Sequence, residues 1–459
     1  MNNIETSGIG QSIRSSHLPK ILLIGFLVLL LQIPITKIRG MIREREQTRS
    51  GAVREVTDKW GGNQSIAGPT VVVPYVKRWT EPDKDGKPQP RSQVVYATFL
   101  PETLKIAGTI ESEVRYRGIF AVPVYRMSLD INGRFSRPDF GDWAIEPNDI
   151  LWDRAYLAVR IADARAITQQ AALSWNDDEL AFLPSTGEFG GNQPGIHVKL
   201  KGHLTGGSVD FSFPLALNGS VGAFFAPFGR ETEVTLCSNW NAPSFQGAWL
   251  PTNRAVTSDG FEATWNIPFL GRNYSQSWRS SSNPEKAISE SLFGVKMISP
   301  VDHYRMSHRS VKYQFLFLVL TFAVLWLFEI RVETRIHSVQ YLFVGAGMCL
   351  FYLLELSLAE HLGFVAAYTV ASVAITVLVT SYSAAVLKSI KRALVVGGVV
   401  TLLYAYLYTL LTIQDYALLV GTIGLFFVLA TTMFLTRKVD WYSLTNSALA
   451  TPPDEREQE

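Results

Sequence analysis

Apolar residues crowd the two ends of this chain and alternate with polar ones between them. A short apolar run covers 21–35, and five more lie at 315–328, 341–358, 364–387, 393–413 and 416–435. Crossing a hydrocarbon layer of about 30 Å takes about 20 helical residues, so the five C-terminal runs predict membrane-spanning helices. The first run has only 16 residues between Lys20 and Lys37, but both lysines can snorkel toward headgroups and extend its reach. Gln32, Pro34, Lys37, Arg39 and Arg43 follow it where a cleaved leader would carry small residues, which predicts an uncleaved signal anchor.

Past the anchor, Ile38, Ile42, Val53, Val56 and Trp60 recur at helical spacing among charged residues, predicting an amphipathic helix that Trp60-Gly61-Gly62 stops. Beyond Gly68-Pro69 the period changes to two. Val209, Phe211, Phe213, Leu215 and Leu217 alternate with polar residues up to Asn218-Gly219, and Met127, Leu129 and Ile131 run into Asn132-Gly133. Asp259-Gly260 opens Phe261, Ala263, Trp265 and Ile267, and Leu157, Val159 and Ile161 form a further strand. Asx-Gly pairs favour tight hairpin turns, so these segments predict antiparallel sheets in a sandwich-like arrangement. From 299 to 312 the chain reads as a return helix carrying Asp302, His303, Tyr304, Arg305, His308 and Arg309, an interfacial collar able to meet anionic headgroups.

Basic residues set orientation, because short loops rich in Lys and Arg stay on the cytoplasmic side. Arg331 and Arg335, then Lys388, Lys391 and Arg392, then Arg437 and Lys438 mark alternate loops, whereas Glu360-His361-Leu362-Gly363 and Gln414-Asp415 carry no Lys or Arg. Both termini are therefore expected in the cytoplasm and residues 37–311 outside. The flank of Lys37, Arg39, Arg43, Arg45 and Arg49 opposes that assignment, but Glu44 and Glu46 interrupt it and five spans must agree together. Trp441 and Tyr442 suit an interfacial anchor, and 451–459 is an acidic tail expected to be disordered.

The net charge of +2 gives no reason to expect nucleic acid. Cys237 and Cys349, in different regions, predict no disulfide framework. Hydrolase signatures and metal-ligand spacing are missing: Gly86-Lys87 is followed by Pro88, and His197 and His203 lack partners that would complete a metal set. No catalytic residue, cofactor or metal is therefore expected. An ionisable residue within a span is costly enough to mark a role or a partner, which singles out Glu355. With Tyr352, Glu360 and His361 it forms a candidate polar cluster, whose bland reading is a carboxyl hydrogen-bonded to a neighbouring helix. Tyr404, Tyr406 and Tyr408 are expected in packing contacts rather than as a ligand platform, and Gly345-Ala346-Gly347 and Gly421-Thr422-Ile423-Gly424 predict close helix approach.

Several segments carry a family likeness: Trp60-Gly61-Gly62-Asn63-Gln64 with Val73-Pro74-Tyr75, Ser238-Asn239-Trp240-Asn241-Ala242-Pro243-Ser244-Phe245-Gln246-Gly247, Phe328-Glu329, Ile336-His337-Ser338-Val339-Gln340-Tyr341, residues 351–361, and residues 436–444. In this order they resemble the CreD family of bacterial inner-membrane proteins. The pattern usually holds an apolar residue at Glu355 and Pro-His at Asn241-Ala242, whereas Glu360-His361 fits it. The resemblance implies a Gram-negative inner-membrane protein associated with envelope integrity and a two-component stress and carbon-response regulon, and it implies no reaction.

The expectation is an α+β membrane protein: six transmembrane helices, one N-terminal and five C-terminal, with a large all-β periplasmic domain between the first and second. Its expected parts are a tail and anchor at 1–36, an amphipathic helix at 37–66, the β-domain at 67–298, the return helix at 299–312, the bundle at 313–440 and a tail at 441–459. Function is read as non-enzymatic support of the cell envelope through an unidentified envelope component or protein partner, in contact with the lipid bilayer. The alternative is a transporter or lipid-handling protein using the carboxylate cluster.

Overall fold

A computed structural model describes residues 18–85, 87–188, 193–204, 207–282, 284–297, 303–332, 336–413 and 416–437. Asp302, Asp415, Gly86 and the two terminal tails lie outside the described residues. The chain divides into two compact units, one of residues 1–48 with 301–459 and one of 49–300.

The first unit is helical. Helix α1 (Leu18–Leu30) and helix α2 (Gln32–Trp60) are separated at Leu31, where Pro34 lacks the N–H that would bond the Leu30 carbonyl. After the short helix α3 (Glu285–Glu290) of the other unit come α4 (His303–Lys312), α5 (Gln314–Val332), α6 (Ser338–Leu362), α7 (Phe364–Leu387), α8 (Ile390–Thr412) and α9 (Ala417–Thr436). Among the described residues five helices are long and apolar enough to cross a membrane, or six when the α4–α5 pair, bent by 44°, counts as one span. Tyr313 marks that bend, its N–H donating to the Ser310 carbonyl in a tightened turn (3.2 Å).

Close approach in this unit depends on small residues. A Cβ on Gly345 would sit 2.3 Å from a Leu31 methyl and 2.8 Å from the Phe322 ring, and one on Gly424 would sit 2.1 Å from the Tyr406 hydroxyl. Gly421 has open space instead. The tyrosines of α8 divide by helical geometry. Tyr404 and Tyr408, one turn apart, both stack on Tyr368, directly or through Phe351, while Tyr406 turns away and donates to the Val420 carbonyl (2.7 Å). The three therefore share no single face and make packing contacts, with only positions i and i+4 on one side.

The second unit is a β-sandwich. One nine-stranded sheet runs Pro243–Gly247, Phe293–Met297, Gly222–Phe225, Gln64–Pro82, Tyr156–Ile161, Gly195–Lys199, Leu183–Pro184, with Pro88–Phe99 branching from Gln64–Pro82 and Ser277–Arg279 pairing in turn with Pro88–Phe99. The other, eight-stranded, runs Asn253–Thr257, Gly260–Pro268, Glu231–Ser238, Thr103–Arg117, Phe120–Phe135, Val209–Ser220, Ala172–Trp175, Asp178–Ala181. Inward side chains of both sheets form one continuous core that includes Val71, Val73, Leu157 and Val159 from the first and Leu129, Phe211, Phe213, Val234 and Trp265 from the second. Alternation along Val209–Ser220 produces this directly, because successive side chains point to opposite faces.

Three details differ from the sequence reading. Asn132-Gly133 and Asn218-Gly219 lie inside strands rather than at turns, whereas Ser258-Asp259 does turn a hairpin. Two strand pairs are parallel, Gln64–Ile66 with Ala223–Phe225 and Thr103–Ile110 with Glu231–Ser238. The first long strand begins at Gln64, ahead of Gly68-Pro69, which sits at a register shift within it.

Gly219 shows why a glycine belongs in a strand here, since a Cβ there would fall 2.3 Å from the Tyr125 ring. That ring is fully buried and its hydroxyl donates to the Gly222 carbonyl at 2.7 Å, and burial holds the phenol well above its ordinary pKa. Tyr125→Phe leaves that carbonyl without its donor and is expected to destabilise the domain by about 1–2 kcal/mol, read as a lowered thermal midpoint with unchanged far-ultraviolet circular dichroism.

Candidate functional site

Where α4 packs on α6, two carboxylates meet the same helix face. Tyr304 and Ser307, three residues apart, share a face of α4. The Tyr304 hydroxyl donates to Glu360 Oε1 at 2.8 Å, and Ser307 Oγ donates to Glu355 Oε1 at 2.7 Å. Rising residue numbers on α4 match falling numbers on α6, so the helices run in opposite senses at this contact.

Their surroundings separate the two carboxylates. Glu360 accepts a bidentate pair from Arg45 of α2, with Nε at 2.7 Å from Oε1 and Nη2 on Oε2, so its charge is matched. Glu355 is 0% exposed and, among the described residues, no cation pairs with it. Ser310 stands beside its second oxygen, yet neither Ser310 Oγ nor Glu355 Oε2 completes a hydrogen bond. Tyr352, one turn before Glu355, is buried with its ring against Phe351 (5.0 Å), and Tyr368 of α7 lies within electrostatic reach.

His361 is exposed and lies within electrostatic reach of Glu360. The four residues singled out in the sequence therefore split three ways: Glu355 with Tyr352 in the core, Glu360 in an ion pair, His361 at the surface. Sequence reading placed Arg45 in the basic flank and Tyr304 in the collar without linking either to the carboxylates, and it missed Ser307 and Ser310. A signal was available in the serines, which fall at i and i+3 on a helix of otherwise amphipathic pattern. Other collar residues are tied down: Arg309 donates to the Leu410 and Leu411 carbonyls (2.8 and 3.2 Å), and His308 Nε2 lies 3.5 Å from Glu46. At the far end of the helices Lys20 pairs with Glu329 and donates to the Ile336 carbonyl (2.8 Å), while the Tyr341 hydroxyl donates to Glu329 Oε2 (3.2 Å).

The sandwich carries its own concavity, an open cleft of about 790 Å³. Glu111, Glu113, Asp259 and Glu262 line it with Arg126, Cys237 and Asn239. Partial burial, then the Glu262 carboxylate, hold the Cys237 thiol above its ordinary pKa, the opposite of what a nucleophilic cysteine needs. His197 and His203 do not converge: His197 Nδ1 lies 2.9 Å from the Ser185 carbonyl and His203 Nδ1 lies 3.0 Å from Asp178. Among the described residues no group of three or more His, Cys, Asp and Glu is placed to hold a metal ion.

The family model described as "Inner membrane protein CreD" matches residues 16–442. Inner membrane protein CreD of Escherichia coli (strain K12) is 33% identical over 419 residues, covering 91% of this chain and 92% of that protein. The family match runs from the first apolar helix through the β-sandwich to the last apolar helix, and the chain belongs to the CreD family of inner membrane proteins.

Proposed function

We propose that this inner-membrane protein supports the cell envelope without catalysing a reaction, by binding an envelope component or protein partner through a β-domain held outside the membrane. The observation that carries this reading is the cleft of about 790 Å³ on the sandwich, lined by mixed acidic and polar groups with no nucleophile activated beside a base. Apolar helices at both ends of the chain would tether that surface to the bilayer. In this arrangement both termini lie in the cytoplasm and the segment between the first two spans lies in the periplasm, a reading supported by the basic residues that follow α5, α7 and α9.

Two experiments test it. An alkaline phosphatase fused at Gly118 should be active in an exporting cell, and an inactive fusion would overturn the orientation. Photo-crosslinking amino acids placed at Glu111 and Thr257, two residues of the cleft, should capture one recurring envelope partner in cells. Consumption of a cell-wall precursor or lipid by purified protein, lost on substitution of cleft residues, would overturn the non-catalytic reading.

A further inference from the structure

The buried face of α4 and α5 carries a polar stripe that helix packing alone leaves unexplained. Ser307, Ser310, Gln314 and Thr321 are each at most 1% exposed, among Val311, Phe317, Leu318, Phe322 and Leu325. Gln314 and Thr321, seven apart, share a face of α5, and Ser307 and Ser310, three apart, share a face of α4. Along α5 the seven residues from Gln314 to Thr321 extend about 10 Å.

Hydroxyls in apolar helices ordinarily satisfy themselves by bonding back to the carbonyl four residues earlier. Thr369 and Thr401 do so, on Val365 and Gly397, both at 2.8 Å. Ser310 and Thr321 do not. The Thr321 hydroxyl and Gln314 Oε1 are buried without a protein hydrogen-bond partner, although Gln314 Nε2 donates to Gln32 Oε1 at 2.5 Å, and Ser310 reaches the Glu355 carboxyl without a well-formed bond to Oε2. Buried oxygens left without partners along a stripe that ends at a carboxyl are the setting in which ordered water, with two to four polar partners per molecule, is held inside a protein.

Glu355 closes one end of this stripe. A carboxylate in hydrocarbon with no counterion is costly, and the neutral acid removes most of that cost. Ser307 already donates to Oε1, which leaves Oε2 as the oxygen to carry a proton. The groups facing it supply no competing charge. Tyr352 shares its helix, Tyr368 donates to the Tyr404 carbonyl (2.6 Å), the Tyr404 hydroxyl is buried without a partner, and Cys349 Sγ contacts the Leu31 carbonyl at 3.9 Å. Nearby cations are committed elsewhere: Arg45 to Glu360 and Arg309 to the end of α8.

We propose that Glu355 is a proton-exchanging carboxyl, and that water held along Ser310, Gln314 and Thr321 is the route by which its proton comes and goes. In the elementary step a hydronium in the file gives its proton to Oε2, an O–H bond forms as one breaks, and neutral water and carboxylic acid remain. This goes beyond envelope binding by the β-domain and does not depend on it.

The test is infrared difference spectroscopy of the full-length protein in lipid vesicles, comparing wild type with Glu355→Gln. The expected result is a protonated-carboxyl carbonyl band that the substitution removes, that fades as pH rises, and that shifts in heavy water. A Ser310→Ala, Thr321→Val double variant should slow that deuterium shift by about tenfold or more. A wild type showing only carboxylate bands at every pH, or a band that never exchanges, overturns the proposal, as does exchange unchanged in the double variant. Independently of any variant, a hydrophobic carbodiimide, which attacks protonated carboxyls in membranes, should label Glu355 and spare Glu360. Labelling of Glu360 alone would sink the assignment.

Discussion

Gly133→Val is expected to cost the β-domain at least about 1–3 kcal/mol, and to prevent folding if the two strands cannot separate. A Cβ at this position would lie 2.0 Å from the Thr103 carbonyl oxygen and 2.9 Å from the Phe211 ring. The first of these is backbone in the adjacent strand, which pairs through Leu104 with Gly133, so it cannot swing aside as a flexible side chain would. The Phe211 ring fills the space that a side chain would occupy, and Phe211 is the cross-strand partner of Gly133 on the other side. Asn132→Thr provides the contrast. Asn132 is exposed within the strand, so a β-branched residue should be neutral or slightly stabilising there. Had Asn132-Gly133 formed a type I′ turn, Asn132 would need a positive φ and threonine would be costly. Thermal unfolding of the full-length protein in detergent distinguishes the two: a large drop for Gly133→Val with no drop for Asn132→Thr is the expected pattern.

That pair of residues also shows where sequence reading stops. Alternation of Met127, Leu129 and Ile131, and of Val209 through Leu217, identified strands and their inward faces, because a period of two is a local property. Asn-Gly is ambiguous at the same local level. Glycine serves a turn by tolerating positive φ and serves a strand by admitting a neighbouring backbone or ring, and only the neighbour decides which. The parallel pairing of Thr103–Ile110 with Glu231–Ser238 was illegible for the same reason, since those segments are far apart in the chain. Membrane spans were more legible, because their length and apolarity are set by the bilayer rather than by a partner. The polar cluster fell between these cases. Glu355 stood out as a charge in an apolar run, but the residues that hydrogen-bond the two carboxylates come from α2 and α4, far away in sequence.

Arg45→Ala is expected to destabilise the helical unit by about 2–3 kcal/mol, toward the low end for breaking a buried charge pair because the Arg45 side chain is 42% exposed and partly screened by solvent. The Glu360 side chain is only 9% exposed, so the asymmetry of the pair matters. Loss of arginine leaves a carboxylate in a poorly hydrated position with Tyr304 as its remaining hydrogen-bond donor. Loss of the carboxylate instead leaves a guanidinium that can turn into solvent. Glu360→Gln should therefore cost less than Arg45→Ala, since the amide oxygen still accepts from Tyr304. The double variant Arg45→Ala, Glu360→Gln should recover part of the loss, because no uncompensated charge is left behind. A double-mutant cycle on thermal midpoints of the full-length protein in lipid or detergent measures this, and strict additivity of the two substitutions would show that the ion pair contributes nothing to holding α2 against α6. The pair also bears on Glu355. If Arg45 holds Glu360 and Tyr304 in register, its loss should loosen α4 over Ser307, and the protonated-carboxyl signal of Glu355 should exchange faster in Arg45→Ala than in wild type.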